Sequence, residues 1–258
     1  MAGPDGGRRP LRLAHRGDHR VAPENSLAAF LAALELPGCD GLEFDVRLSR
    51  DGVPVVIHDP TLRRVQRRPG RVADLTADEL ATAGVPTLAS VLAAVPRSAF
   101  LDIELKVDGG PALAAVLREG RGPGLESAVI SSFELAALAA IRALEPAWPC
   151  WLNADDLAPD TIARAVRLGC AAIAAEWHAI DAGTVAAARR AGLEVAAWTV
   201  TGRRAFDRLA GLGVVAICVE GAALGPARPA PPRPAVSRAA SSPARSPRTG
   251  RRRPRGSG

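Results

Sequence analysis

No run of eighteen apolar residues occurs in the 258-residue sequence, which excludes a membrane-spanning helix of ordinary length. The first ten residues, Met-Ala-Gly-Pro-Asp-Gly-Gly-Arg-Arg-Pro, lack the apolar centre and cleavage site of a secretory leader. They read as a flexible N-terminus, with the cytoplasm as the default compartment. Cysteine is scarce: Cys39, Cys150, Cys170 and Cys218 form no CxxC pair and sit in apolar runs. They are expected to be reduced packing residues. Neither GxGxxG nor GxxxxGK[ST] is present, so nucleotide-binding α/β folds lose support. Acidic residues are missing altogether after position 225. That stretch carries nine arginines, so the formal charge of +6 on the chain becomes −3 over residues 1–225. The basic balance belongs to the tail, and the folded part is not expected to bind nucleic acid. Residues 226–258 are mainly Pro, Ala, Arg and Ser. Such a segment cannot offset its ordering entropy, and it is expected to be disordered, with at most weak attraction to anionic surfaces.

What is present is ample core material, with 48% of residues apolar. Eight short apolar runs are bounded by Gly, Pro or charge: Leu11–Ala14, Gly41–Val46, Phe100–Leu105, Ala128–Ser131, Cys150–Asn153, Ala171–Ala175, Leu193–Thr199 and Val214–Val219. They are too short for helices and read as buried parallel strands. Helical patterns fall between most of them. Ser26–Leu36 places Leu27, Phe30, Leu31 and Leu34 on one stripe and stops at Pro37-Gly38. Thr76-Ala77-Asp78-Glu79 has the form of a capping box. Pro111 suits a first helical turn, and Gly169, Gly192 and Gly213 each follow a helical stretch. This alternation predicts a (β/α)8 TIM barrel over residues 11–225, with an open doubly wound sheet as the alternative.

One extra strand breaks the repeat. Val46–Leu48 leads through Ser49-Arg50-Asp51-Gly52 into Val53–His58, and Asp-Gly between apolar runs signals a hairpin. A two-residue turn at Asp51-Gly52 sets Asp45 opposite His58. A loop of Ser49–Gly52 sets Glu43 opposite His58. Either register predicts Glu43, Asp45 and His58 on one face.

Barrel chemistry gathers at the C-terminal ends of the strands. Those ends offer His15-Arg16-Gly17, Glu43-Phe44-Asp45, His58-Asp59, Glu104-Leu105-Lys106 and Trp198-Thr199. A single Glu on a strand is usually an ordinary salt-bridged acid. An i, i+2 pair within an apolar run, joined by a third acid on the next strand, is a candidate ligand set. Glu43, Asp45 and Glu104 would repel one another without a cation. Their oxygens suit one divalent ion, Mg²⁺ or Ca²⁺ first and Mn²⁺ next, better than zinc. His15 and His58 are two of four histidines, and their setting beside carboxylates suits an acid–base pair. His19 reads as a loop residue and His178 as structural. Lys106 is the only lysine in the chain, and beside a metal its compact ammonium could hold a phosphate oxygen. Arg16 could clamp the same group. Trp198 faces either the helices, as core packing, or the barrel interior, as an apolar wall for substrate.

These residues resemble the glycerophosphodiester phosphodiesterase family. Ala14-His15-Arg16-Gly17, Pro23-Glu24-Asn25-Ser26, Glu43-Phe44-Asp45, Asp51-Gly52 and His58-Asp59 follow its opening signature in order. Pro86-Thr87-Leu88, Glu104-Leu105-Lys106 and Trp198-Thr199-Val200 continue it, so the resemblance covers roughly residues 11–221. It implies a TIM barrel with a short insertion at about 60–85, and hydrolysis of glycerophosphodiesters to glycerol 3-phosphate and an alcohol. Carried over by position, it implies Glu43, Asp45 and Glu104 as metal ligands, His15 and His58 as the acid–base pair, and Arg16 and Lys106 as phosphate contacts. The chain departs from the family at two points. Glu220 stands where Asp is frequent, and Gly221–Pro226 runs into the tail, so the eighth helix is expected to be one turn or absent. Two rivals remain: a phospholipase D-like barrel acting on lysophospholipids or sphingolipids, and a non-catalytic barrel or a tail-mediated binder of anionic surfaces. The alcohol group and the oligomeric state are not legible in the sequence.

Overall fold

The computed structural model describes residues 9–225. Strand β1 (Leu11–His15) pairs in parallel with both β2 (Gly41–Leu48) and β9 (Ala216–Val219). That double pairing closes the sheet. Between them run β4 (Phe100–Leu105), β5 (Ala128–Ser132), β6 (Cys150–Ala154), β7 (Ala172–Glu176) and β8 (Glu194–Val200), each parallel to its neighbours. The result is an eight-stranded closed barrel. A short ninth strand, β3 (Pro54–Val56), pairs antiparallel to the far end of β2.

The crossovers are helices: α1 (Leu27–Leu34), α3 (Leu88–Ala94), α4 (Gly110–Arg121), α5 (Leu135–Leu144), α6 (Pro159–Arg167), α7 (Ala182–Arg190) and α8 (Arg203–Gly211). Local chemistry sets their starts. The Ser26 hydroxyl accepts from the Ala29 amide, and the Thr87 hydroxyl accepts from the Ser90 amide. The expected capping box at Thr76 opens α2 (Ala77–Thr82). No helix among the described residues is long and apolar enough to cross a membrane.

Strand alternation divides the apolar residues into two layers. Leu42, Phe44, Leu101, Ile103, Ile130, Leu152, Ile173 and Ile217 pack outward with the helices. Leu13, Val129, Trp151, Ala172, Ala174, Ala196 and Ala216 pack inside the barrel, where Phe100 and Trp151 stack. Gly41 is required by this closure, because a Cβ there would lie 1.9 Å from the Phe100 carbonyl oxygen on β4. The stretch from Pro60 to Val85 carries its own small core, in which Leu62, Val72, Leu80 and Val85 gather under Val55 and Ile57.

The hairpin loop is five residues, because Leu48 pairs with Pro54 and Val46 with Val56. That register continues to Phe44 opposite His58, which is neither of the two predicted registers. Alternation along the ladder would therefore turn His58 outward with Phe44. The ladder ends before that, and the chain bends after Ile57, whose amide still donates to the Asp45 carbonyl (2.9 Å). The last helix, α9 (Gly221–Leu224), is a single turn. The barrel closes nonetheless, and Arg20 secures the short helix. Its Nη1 donates to the carbonyl oxygens of Gly221 (3.0 Å) and Gly225 (2.6 Å), while Asp18 holds its Nε at 2.7 Å. The expectations for residues 1–8 and 226–258 lie outside the described residues.

Candidate active site

The strand ends deliver the side chains in order. His15 ends β1, Glu43 and Asp45 project inward from β2, and Glu104 projects inward from β4, where Asp45 is in register with Glu104. One carboxylate oxygen from each of Glu43, Asp45 and Glu104 lies within 4.8 Å of the others, and all three residues are buried. Glu43 Oε2 has no hydrogen-bond partner. Burial, reinforced by the charges of Asp45 and Glu104, raises Glu43 well above the usual carboxylate range. Glu104 is raised for the same reasons, burial first and Asp45 next. Asp45 goes the other way. Burial opposes its ionisation, but Arg16, Lys106 and a hydrogen bond from Asn25 Nδ2 (2.8 Å) hold its pKa down. Closely packed carboxylates with an orphaned oxygen fit a divalent cation, which would relieve both the repulsion and the missing contact.

Cations flank this cluster. Arg16 Nε lies 3.1 Å from Asp45 Oδ2, and Lys106 Nζ lies 3.1 Å from Asp45 Oδ1 and pairs with Glu104 Oε1. Arg16 reaches the site because its backbone is left-handed, with φ 57°. Asn25 shares that conformation, and its amide donates to the Arg16 carbonyl (3.0 Å). Such strain in non-glycine residues persists only where the surroundings fix it. The neighbouring Gly17 is packed so tightly that a Cβ would meet the Ala29 backbone at 2.7 Å.

The two histidines stand on different supports. His15 Nδ1 bonds to the Glu220 carboxylate at the end of β9, and its Nε2 lies 3.7 Å from Glu43 Oε2. His58 Nδ1 bonds to Asp59 Oδ1 at 2.8 Å. In both cases the carboxylate takes Nδ1 and leaves Nε2 out of that bond. Burial lowers the pKa of His58, while Asp45 and Asp59 oppose that shift. The hydrogen bond to His15 holds Glu220 below the usual range.

A cavity of about 250 Å³ collects these groups. His15, Arg16, His58 and Lys106 line it beside Glu43, Asp102 and Glu104. Trp198 and Phe133, in edge-to-face contact at 5.4 Å, form an apolar wall. Trp198 therefore faces the interior, and its Nε1 donates to the Ala174 carbonyl (2.8 Å). A larger, more open groove of about 530 Å³, lined by Ala182, Val185, Arg189 and Leu212, holds neither carboxylate nor histidine. His19 is a loop residue 3.8 Å from Glu220 Oε2. His178 is exposed and pairs with Glu176.

Several site residues were not singled out from the sequence. Glu220, a departure from the family's usual Asp, supports His15. Asp102, two positions before Glu104, also points inward and lines the cavity. Burial raises its pKa to about 7. Asn25, Glu24 and Asp59 belong to the quoted motifs without an assigned role. The period-two rule applied to β4 would have found Asp102. The others depend on loop conformation.

The family model for the glycerophosphoryl diester phosphodiesterase family matches residues 15–222. The chain belongs to this family. It is therefore an enzyme, a phosphoric diester hydrolase. A glycerophosphodiester phosphodiesterase of Caldanaerobacter subterraneus subsp. tengcongensis is 29% identical over 229 residues, covering 81% of this chain and 93% of the relative. An Oleispira antarctica phosphodiesterase, solved with the product sn-glycerol-3-phosphate, superposes with a TM-score of 0.73 at 28% identity, covering 82% of this chain and 93% of that one. A glycerophosphodiester phosphodiesterase of Agrobacterium tumefaciens gives 0.72 at 28% identity, covering 83% and 98%. Neither rival function is favoured by these likenesses. The closed eight-stranded barrel is a TIM barrel, the fold it shares with these solved structures.

Proposed function

We propose that this family member hydrolyses glycerophosphodiesters to glycerol 3-phosphate and an alcohol through a cyclic phosphate, with one divalent cation at Glu43, Asp45 and Glu104. The observation that carries the proposal is the pair of histidines on opposite supports, each with Nδ1 on a carboxylate, beside a three-carboxylate cluster. The cation, Mg²⁺ or Ca²⁺ before Mn²⁺, would neutralise charge that builds on the phosphoryl oxygens.

The side chains of this chain do the rest. Arg16 and Lys106 draw in the phosphodiester anion and stabilise its transition-state charge. His15 Nε2 takes the proton of the glycerol 2-hydroxyl, whose oxygen attacks phosphorus. The bond from phosphorus to the alcohol oxygen breaks, and His58 Nε2 gives that oxygen a proton. The roles then reverse. His58 takes a proton from water, the water oxygen attacks phosphorus, and His15 returns its proton to the 2-oxygen as the ring opens. Glu220 and Asp59 keep each imidazole in one tautomer and stabilise its charged form. The Trp198–Phe133 wall packs against the apolar edge of the glycerol unit.

The deciding assay measures glycerol 3-phosphate release from glycerophosphocholine, glycerophosphoethanolamine, glycerophosphoglycerol and lysophospholipids, with chelator and then with each cation restored. Release from the glycerophosphodiesters that chelation abolishes and a cation restores is the expected result. Full activity in rigorously metal-free protein, or turnover confined to lysolipids, overturns the proposal.

A further inference from the structure

We propose that Arg64, on the insertion, is a positioning residue that sets His58 through Asp59 and Arg16 through Glu24. The inference rests on the reading above, in which His58 protonates the departing alcohol and Arg16 holds the phosphoryl group.

The geometry is a two-sided fork. On one side, Arg64 Nε donates to Asp59 Oδ2 (2.8 Å) and Nη2 to Asp59 Oδ1 (3.0 Å). On the other, Nη1 donates to Glu24 Oε2 (2.6 Å) and Nη2 to Glu24 Oε1 (2.7 Å). The single Nη2 nitrogen thus bridges Asp59 Oδ1 and Glu24 Oε1. These are the oxygens that hold the two site residues: Asp59 Oδ1 meets His58 Nδ1 at 2.8 Å, and Glu24 Oε1 accepts from Arg16 Nη1 at 3.0 Å. The carboxylates come from separate loops, Glu24 after β1 and Asp59 after β3. Arg64 is the piece that fixes one loop relative to the other.

Stability alone is a weak reason for this arrangement. The Arg64 side chain is 49% exposed, and ion pairs at such positions contribute little to folding. Orientation is a stronger one. An imidazole that must place Nε2 against a leaving oxygen tolerates little rotation, and its carboxylate partner fixes that rotation only if the carboxylate is itself fixed. Hydrogen bonding from Arg64 also keeps Asp59 ionised, with a pKa of about 2. Lysine offers a point charge instead of two donor edges in one plane, so it cannot grip both carboxylates bidentately.

The test compares Arg64→Ala and Arg64→Lys with wild type on glycerophosphocholine and on the nitrophenyl ester of glycerol 3-phosphate, whose leaving group needs little protonation. Both variants are expected to fold, with kcat on glycerophosphocholine falling roughly 10–100-fold, the range typical of lost orienting partners. The kcat deficit should shrink severalfold on the nitrophenyl ester, while a rise in KM from the loosened Arg16 appears on both substrates. Equal kcat losses on the two esters, unchanged kinetics, recovery by lysine, or failure of both variants to fold overturns the proposal. His58→Ala, run alongside, separates the two layers of argument. If its own deficit does not shrink on the nitrophenyl ester, the acid role fails by itself. Arg64→Ala added to His58→Ala should cost much less kcat than Arg64→Ala costs in wild type, the remainder coming through Arg16, and a fully multiplicative loss overturns the link.

Discussion

The Glu220 carboxylate meets Nδ1 of His15 across the seam where the last barrel strand pairs with the first. The two residues are 205 positions apart, and only closure of the barrel brings them together. Glu220→Gln retains the shape and an acceptor oxygen but removes the charge that stabilises a protonated His15. The expected result is a kcat lower by roughly 10–100-fold, with KM and thermal midpoint close to wild type. Steady-state kinetics read this directly, and an unaltered kcat would show that His15 does not gain charge during turnover.

The acid and base assignments separate by leaving group. His15→Ala and His58→Ala should each lower kcat on a natural diester by roughly 10²–10⁴-fold. The double variant should be much less than multiplicatively worse, since residues acting as a unit are not additive. The nitrophenyl ester should restore His58→Ala and leave His15→Ala impaired. Restoration of His15→Ala alone would exchange the two roles.

Glu104 tests the ion site without reference to turnover. Glu104→Gln keeps the size of a side chain buried beside Lys106 and removes one anionic ligand. Calorimetric titration with Mg²⁺ or Ca²⁺ should show affinity weakened by roughly 10-fold or more, with an unchanged circular dichroism spectrum. Equal affinity in variant and wild type would remove Glu104 from the ligand set.

Asp102 gives a stability signature. Its pKa is about 7 in the folded protein, against 3.8 ordinarily, chiefly because it is buried. Between those values the folded chain keeps a proton that the unfolded chain has released. Stability therefore falls as pH rises from about 4 through about 7, and levels off above that. Asp102→Asn should abolish this component, so the variant gains on wild type with rising pH by an amount on the order of a few kcal/mol. Urea unfolding of chelated protein at pH 4.5 and pH 8 measures it, and a constant difference between the two proteins would contradict the shift.

The framework of the barrel was legible because each parallel strand is apolar on both faces and bounded by Gly, Pro or charge. All eight runs overlap the observed strands to within two residues at either end. Ligand candidates on β2 and β4 followed from alternation, which is a local rule. The hairpin register did not follow. Asp51-Gly52 announces a turn but does not count its residues, and one extra residue reverses parity. His58 joins the site through a bend that no periodicity encodes. Arg64, Glu24 and Asp59 meet through loops of independent sequence, and a long-range fork of this kind leaves no spacing to read.

Translation proceeds from the N-terminus, so the strands emerge in the order in which they stand around the barrel. A nascent chain that has reached β8 already carries His15, the three carboxylates, His58, Lys106 and Trp198. It still lacks Glu220 and the β9–β1 pairing that holds His15 in place. Under the proposed mechanism, full turnover therefore waits for the final strand to leave the ribosome, and a chain released early by premature termination would hold most of the candidate site residues without the pairing that positions His15.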